Sequence, residues 1–285
     1  MYDNGLLKYY PTLSTEDGCL KIEKLTRLWN FEDADIKKVN VREGFFSGLT
    51  YYVKFNRERG IDAEVLLSQI STKLGFDSAI YLPCVDNKNN YGVVSNNVCE
   101  LGTMTMKQYS KYMKFLNPSF KSPYRNKGLD IDKIELDKYF SKDAIKDYIS
   151  MHYFDAFTSN VDRHDENFYV DTKLDVPNKL LKVENIKLID YGISKLYLGL
   201  PDRYGYINGL GGEESLYASQ MLEKLKTDDY VLQYVKPEEI AEKYGSFNVQ
   251  DVADDIENTT GYQISKNYTI GLQDRFYSLA EELVK

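Results

Sequence analysis

Ser159-Asn160-Val161-Asp162-Arg163-His164-Asp165-Glu166-Asn167-Phe168 is the stretch on which the reading of this chain turns. An Asp followed five positions later by an Asn is the arrangement of a phosphoryl-transfer loop. In such a loop the Asp orients an attacking hydroxyl and the Asn holds a metal ion. Two Asp residues compete for the first role, and spacing separates them. Five residues beyond Asp165 stands Val170, which cannot bind a metal, whereas five beyond Asp162 stands Asn167. A second segment, Leu188-Ile189-Asp190-Tyr191-Gly192, closes an apolar strand with an Asp followed by an aromatic residue and a glycine. That is where such proteins carry their main magnesium ligand. Asp162 is thus the expected base, and Asn167 and Asp190 the expected metal ligands, oxygen donors suited to a hard cation.

On the N-terminal side, Leu49-Thr-Tyr-Tyr-Val-Lys-Phe55 reads as a strand rich in aromatic and β-branched residues. Ile61 to Leu74 reads as a helix, with Ala63, Leu66, Leu67, Ile70 and Leu74 on one face and Gly75 as its stop. Lys54 taken alone is a lysine on the wet face of an edge strand, and Glu64 taken alone is a solvated helix residue. In order, strand lysine then helix glutamate, they form the ion pair that presents a cation to the α- and β-phosphates of ATP. Glu43-Gly44-Phe45-Phe46-Ser47-Gly48 lies where a phosphate loop belongs, but matches neither G-x-G-x-x-G nor Walker A. Ser47 and Gly48 are its candidate phosphate contacts, an ordinary β-turn being the alternative. His164 either braces its loop or meets the γ-phosphate; His152, the other histidine, falls in a helix.

Strands are expected at Ala79–Val85 and Tyr91–Ser95, around the turn 86–90, whereas residues 1–30 resist assignment and 31–48 show little periodicity. Beyond about residue 100 the pattern is mainly helical. Met106–Leu116 is a helix, Pro118–Asp130 a loop, and Ser141 caps a helix to about Thr158 that buries Ala144, Tyr148, Met151 and Phe154. Short strands Phe168–Asp171 and Ile186–Asp190 flank a polar insertion containing Pro177. Helical windows follow at Glu213–Lys226, Pro237–Tyr244, Val249–Glu257 and Asn267–Val284, with no internal repeat. The expected fold class is α+β: a bilobal protein-kinase-like fold with a strand-rich N-lobe (1–100), a mainly helical C-lobe (101–285), and ATP-Mg²⁺ in the cleft between them.

A chain of 285 residues can bury the core this needs. Its formal net charge of −8 argues against non-specific binding to nucleic acid or to an anionic membrane. Cys19, Cys84 and Cys99 are odd in number and widely spaced, which excludes a zinc pattern and suggests a reducing compartment. Neither a signal peptide nor an 18-residue apolar stretch is evident, so a cytoplasmic protein is expected. The abundant tyrosines are expected to pack their rings and leave their hydroxyls at the surface.

With these residues laid out, the chain resembles the HipA-like serine/threonine kinase family. The likeness lies in Phe154-Asp-Ala-Phe-Thr-Ser-Asn-Val-Asp-Arg-His-Asp-Glu-Asn-Phe168 and Leu188-Ile-Asp-Tyr-Gly-Ile-Ser194. Tyr52-Val-Lys-Phe55, the Glu64 helix and Gly92-Val-Val-Ser-Asn96 add the N-lobe and the approach to its hinge. The resemblance implies transfer of the ATP γ-phosphate to Ser or Thr of a protein, with Asp162 as base, Asn167 and Asp190 on Mg²⁺, and Lys54 on the phosphates. Some members are toxins acting on translation factors, so an antitoxin-like regulator is an implied partner. The chain departs from that family in being short and in its barely recognisable phosphate loop. The Asp-Arg-His-x-x-Asn string is also similar to phosphatidylinositol kinases, though the acidic charge and the absence of a lipid-binding stretch oppose that. Further alternatives are a nucleotide-binding pseudokinase acting as a scaffold and an α+β domain whose motif is accidental.

Overall fold

The computed structural model describes residues 15–16, 18–21, 32–33, 41–46, 49–55, 60–122, 133–160, 163–178, 180–191 and 213–285. The chain divides into two compact units, Met1–Val98 with Asn248–Ile270, and Cys99–Phe247 with Gly271–Lys285.

In the first unit, β1 (Thr15–Glu16), β2 (Cys19–Lys21) and β3 (Glu32–Asp33) are short, whereas β4 (Val41–Phe46) and β5 (Leu49–Phe55) are full strands. Helix α1 (Ile61–Lys73) follows, then β6 (Asp77–Ser78), β7 (Tyr81–Val85) and β8 (Tyr91–Asn96). Seven strands form one sheet in the order β1-β2-β7-β8-β5-β4-β3, antiparallel except where β2 meets β7. β5 is therefore an interior strand, with Lys54 opposite Val41 on one side and Val93 on the other.

Helix α1 buries Ala63, Leu66, Leu67, Ile70 and Leu74 as its spacing predicts, but also Asp62, Glu64 and Val65. Its second covering is α7 (Val249–Thr260), which packs on α1 from far along the sequence. Gly75 ends α1 at φ +86°, a left-handed conformation that glycine adopts without steric cost.

The second unit contains β9 (Thr103–Thr105), α2 (Met106–Leu116), α3 (Lys133–Tyr139), α4 (Lys142–Thr158), β10 (Phe168–Asp175) and β11 (Leu180–Leu188). Helices α5 (Glu213–Thr227) and α6 (Pro237–Gly245) complete it with α8 (Lys266–Leu283) from Gly271 onward. Local chemistry sets these starts. Thr105 and Gln108 close a reciprocal capping box on α2, Ser141 accepts from the Ala144 amide at 3.1 Å to cap α4, and Pro237 opens α6.

β10 and β11 form one long hairpin with β9 along the outer side of β10. The segment expected to be a polar insertion is thus the hairpin's continuation, since Leu174 and Leu181 still pair across it. β4 falls where no period was evident, because a six-residue strand containing Arg42, Glu43 and Gly44 has no alternation to read. The tyrosines also depart from expectation. Tyr109 and Tyr139 are fully buried with their hydroxyls, which find partners inside: Tyr109 donates to the Leu181 carbonyl at 2.8 Å, and Tyr139 accepts from Asn117 Nδ2 at 3.2 Å.

Candidate active site

Lys54 and Glu64 meet in the first unit. Lys54 Nζ lies 2.8 Å from Glu64 Oε1, with the lysine side chain 17% exposed and the glutamate fully buried. An interior strand fixes the lysine stem, and one turn into α1 the helix delivers the carboxylate beneath it. A buried carboxylate is stable only when it is paired, so this contact also fixes where the ammonium group can be. Ser47 and Gly48, the candidate phosphate contacts, lie outside the described residues.

The second unit carries the other group. Helix α4 ends at Ser159 in the left-handed conformation (φ +54°), and Asn160 closes the turn by donating its amide to the Asp155 carbonyl at 2.9 Å. Asp162 lies outside the described residues. From Arg163 the loop runs as a tight turn to Asn167, whose amide donates to the His164 carbonyl at 2.9 Å. His164 Nδ1 accepts from the Glu166 amide at 3.1 Å, so a neutral ring carries its proton on Nε2. Glu166 itself pairs with Lys107 at the surface at 2.9 Å.

Asn167 is buried at the mouth of the hairpin, just before the pair Phe168–Leu188. Asp190 lies two residues past the end of β11 rather than at its last position, and adopts φ +56°. Left-handed backbone is unusual for a residue other than glycine, though Asp tolerates it better than most.

No protein-family model and no curated protein matches the sequence. Solved structures do. The chain is similar to the proinflammatory kinase CtkA of Helicobacter pylori, with a TM-score of 0.58 and 14% identity over 93% of this chain and 99% of that one. It is also similar to a chain of the Shewanella oneidensis MR-1 toxin–antitoxin complex of HipA, HipB and operator DNA. There the TM-score is 0.50 and the identity 10%, over 90% of this chain and 63% of that chain. The fold is protein-kinase-like.

Within a kinase-like fold the two groups carry distinct chemistry: a cation braced by a buried carboxylate in one unit, and two oxygen donors beside a tight loop in the other. Sequence reasoning missed the residues that hold the second group together. Arg163 is 4% exposed, and its Nε and Nη2 donate to the Asp155 carboxylate at 3.0–3.2 Å. Its Nη1 donates to the carbonyls of Asn167 at 2.5 Å and Ile189 at 2.7 Å. Burial pushes the Asp155 carboxyl above its ordinary value, and the Arg163 guanidinium and the Asn160 amide offset part of that rise. A signal was available. Asp155 continues the apolar face Ala144, Tyr148, Met151 of α4, and an acid at a core position requires a buried partner.

Proposed function

We propose that the chain is an ATP- and Mg²⁺-dependent serine/threonine protein kinase of HipA-like type. The observation that carries this is the Lys54–Glu64 pair at 2.8 Å, a strand lysine held by a helix glutamate within a kinase-like fold. Lys54 would neutralise charge on the ATP phosphates, and Glu64 keeps the ammonium group from turning away. Asn167 and Asp190 fit a hard cation, since both offer oxygen and both sit at the mouth of one hairpin. Bound there, Mg²⁺ would supply electrostatic stabilisation to the transferring phosphoryl group. Asp162, five residues before Asn167, would orient a Ser or Thr hydroxyl for in-line attack. His164, with its Nε2–H directed away from the loop's own turn, is the candidate donor to the γ-phosphate. Ser47 and Gly48, which lie between β4 and β5 in the sequence, would contact the phosphates.

The protein partner in this reading is a substrate bearing Ser or Thr. An antitoxin-like regulator belongs to the same reading, HipA having been solved with HipB. Among the described residues no helix is long and apolar enough to cross a membrane.

The test is transfer of labelled γ-phosphate from ATP-Mg²⁺ by wild type and Asp162→Asn, alone, with cell lysate and with phosphoinositide vesicles. Label on protein that disappears in Asp162→Asn, with ATP still bound, is the expected result. Retained turnover in that variant sinks the assignment of the base. Label on lipid points to a phosphatidylinositol-kinase-like enzyme, and bound ATP without transfer to a pseudokinase scaffold.

A further inference from the structure

We infer that Arg163 is a positioning residue that sets the spacing between Asn167 and Asp190 through one buried guanidinium; the inference rests on the kinase reading above. The β10–β11 ladder ends at the pair Phe168–Leu188. The next residues outward are Asn167 and Ile189, and the Asn167 amide is already committed to the His164 carbonyl. Their two carbonyls instead accept from a single nitrogen, Arg163 Nη1, at 2.5 and 2.7 Å. One nitrogen shared by the two chain segments keeps both carbonyls within hydrogen-bond reach of a single atom.

Asp190 is gripped from both neighbours. Ile189 gives its carbonyl to the guanidinium, and the Tyr191 ring lies with its centroid 5.6 Å from the same group. That ring is backed by Phe154, edge to face at 6.0 Å. Between these two anchors the backbone has to turn, and it does so at Asp190 with φ +56°. The guanidinium is aimed in turn by Asp155, which takes its opposite edge at 3.0–3.2 Å. Only a planar group with several fixed donors can serve a carboxylate on one edge and two carbonyls on the other. A lysine at this position would offer one nitrogen and lose most of these bonds. Groups that orient metal ligands without touching the metal change metal affinity or activity by about 10–100-fold when removed.

The test compares wild type with Arg163→Lys and with the double variant Arg163→Met, Asp155→Leu. The double variant removes both charges of the buried pair together, so that neither is left buried alone, although the Asn167 and Ile189 carbonyls and the Asn160 amide each lose a partner. The readouts are thermal melting, the Mg²⁺ concentration giving half-maximal phosphate transfer, ATP KM and kcat at saturating Mg²⁺, and Mn²⁺-ATP binding by electron paramagnetic resonance.

The expected result is a half-saturating Mg²⁺ concentration about 10–100-fold higher in both variants. ATP KM at saturating Mg²⁺ should stay near the wild-type value, and both variants should still melt in one cooperative transition. A folded variant with the wild-type Mg²⁺ requirement overturns the inference. So does a loss that only tracks the fraction of unfolded protein. Wild-type protein that neither binds Mn²⁺-ATP nor transfers phosphate sinks the kinase reading and this inference together; active wild type with unaltered variants sinks this inference alone.

Discussion

Burial holds the His152 imidazole neutral. The ring is 1% exposed in α4, edge to face on Tyr148 at 4.7 Å, and its pKa is lowered to about 3, first by burial and then by the positive charge of Arg163. The unfolded chain takes up a proton near pH 6.5, and the folded one does not until far lower. Stability is therefore unaffected above about pH 6.5 and falls as the pH drops towards 3. Between pH 7 and pH 5 this single residue should cost about 2 kcal/mol. Denaturant unfolding at the two pH values should show wild type losing that much more than His152→Phe, which keeps a ring against Tyr148. Equal losses in the two proteins would mean that the imidazole titrates normally in the fold. The same helix shows what was legible at this scale. The Lys54–Glu64 contact is legible because a strand lysine followed by a helix glutamate is itself a pattern, and spacing alone makes Asn167 and Asp190 candidates. Arg163 was not legible, since its role depends on Asp155, Asn167 and Ile189 converging in space, and only the acid on the apolar face of α4 hinted at it.

Elements with a clear period came out close to their expected bounds. β5, α2 and α4 did so because a seven-residue run rich in β-branched and aromatic residues, or roughly three to five turns with a cap, determines structure locally. Where pairing partners rather than local pattern decide, the reading stopped short. β10 and β11 reach through Lys173 and Lys182, residues a strand of either type rejects unless its neighbour is already in place. The dependence of α1 on α7 and the residues after it had no signal at all. Asp62, in the first turn of α1, accepts from Tyr262 Oη at 2.7 Å and from the Ser265 amide at 3.0 Å, and Lys73 at the other end pairs with Asp255. Glu64 rises from the same first turn of α1, so the clamp anchors the backbone from which its carboxylate reaches Lys54. Tyr262→Phe removes one hydrogen bond to a charged group and should cost about 1.5 kcal/mol. It should also speed hydrogen exchange of the α1 amides more than those of β10 and β11. Unchanged α1 protection would show that apolar packing alone holds the helix.

At the scale of the whole molecule, the last stretch of chain serves both units. Residues 248–270 belong to the first unit, where Val249, Val252 and Ile256 are buried, and residues 271–285 to the second, where Leu272, Phe276 and Leu279 are. Arg275 adds a polar anchor to the second set. It is fully buried and donates Nε to the Phe157 carbonyl at 2.9 Å and Nη2 to the Ala156 carbonyl at 2.7 Å. Those carbonyls lie in the last turn of α4, where the helix runs short of its own donors; Ala156 accepts besides a long bond from the Ser159 amide, at 3.4 Å, so the guanidinium supplies donors that the helix end lacks. Burial lowers the pKa of Arg275 to about 10, which still leaves it charged at neutral pH. Each large apolar side chain removed from such a core costs about 1.5–3 kcal/mol. Three in each unit amount to about 4.5–9 kcal/mol, comparable with the roughly 5–15 kcal/mol by which a domain is stable. A chain ending at Phe247 should therefore lose cooperative unfolding in both units rather than only the helices deleted. Differential scanning calorimetry of residues 1–247 should show no heat-absorption peak. A peak accompanied by protected β10 and β11 amides would mean that the second unit stands without α8, and that Arg275 only trims the end of a helix already stable.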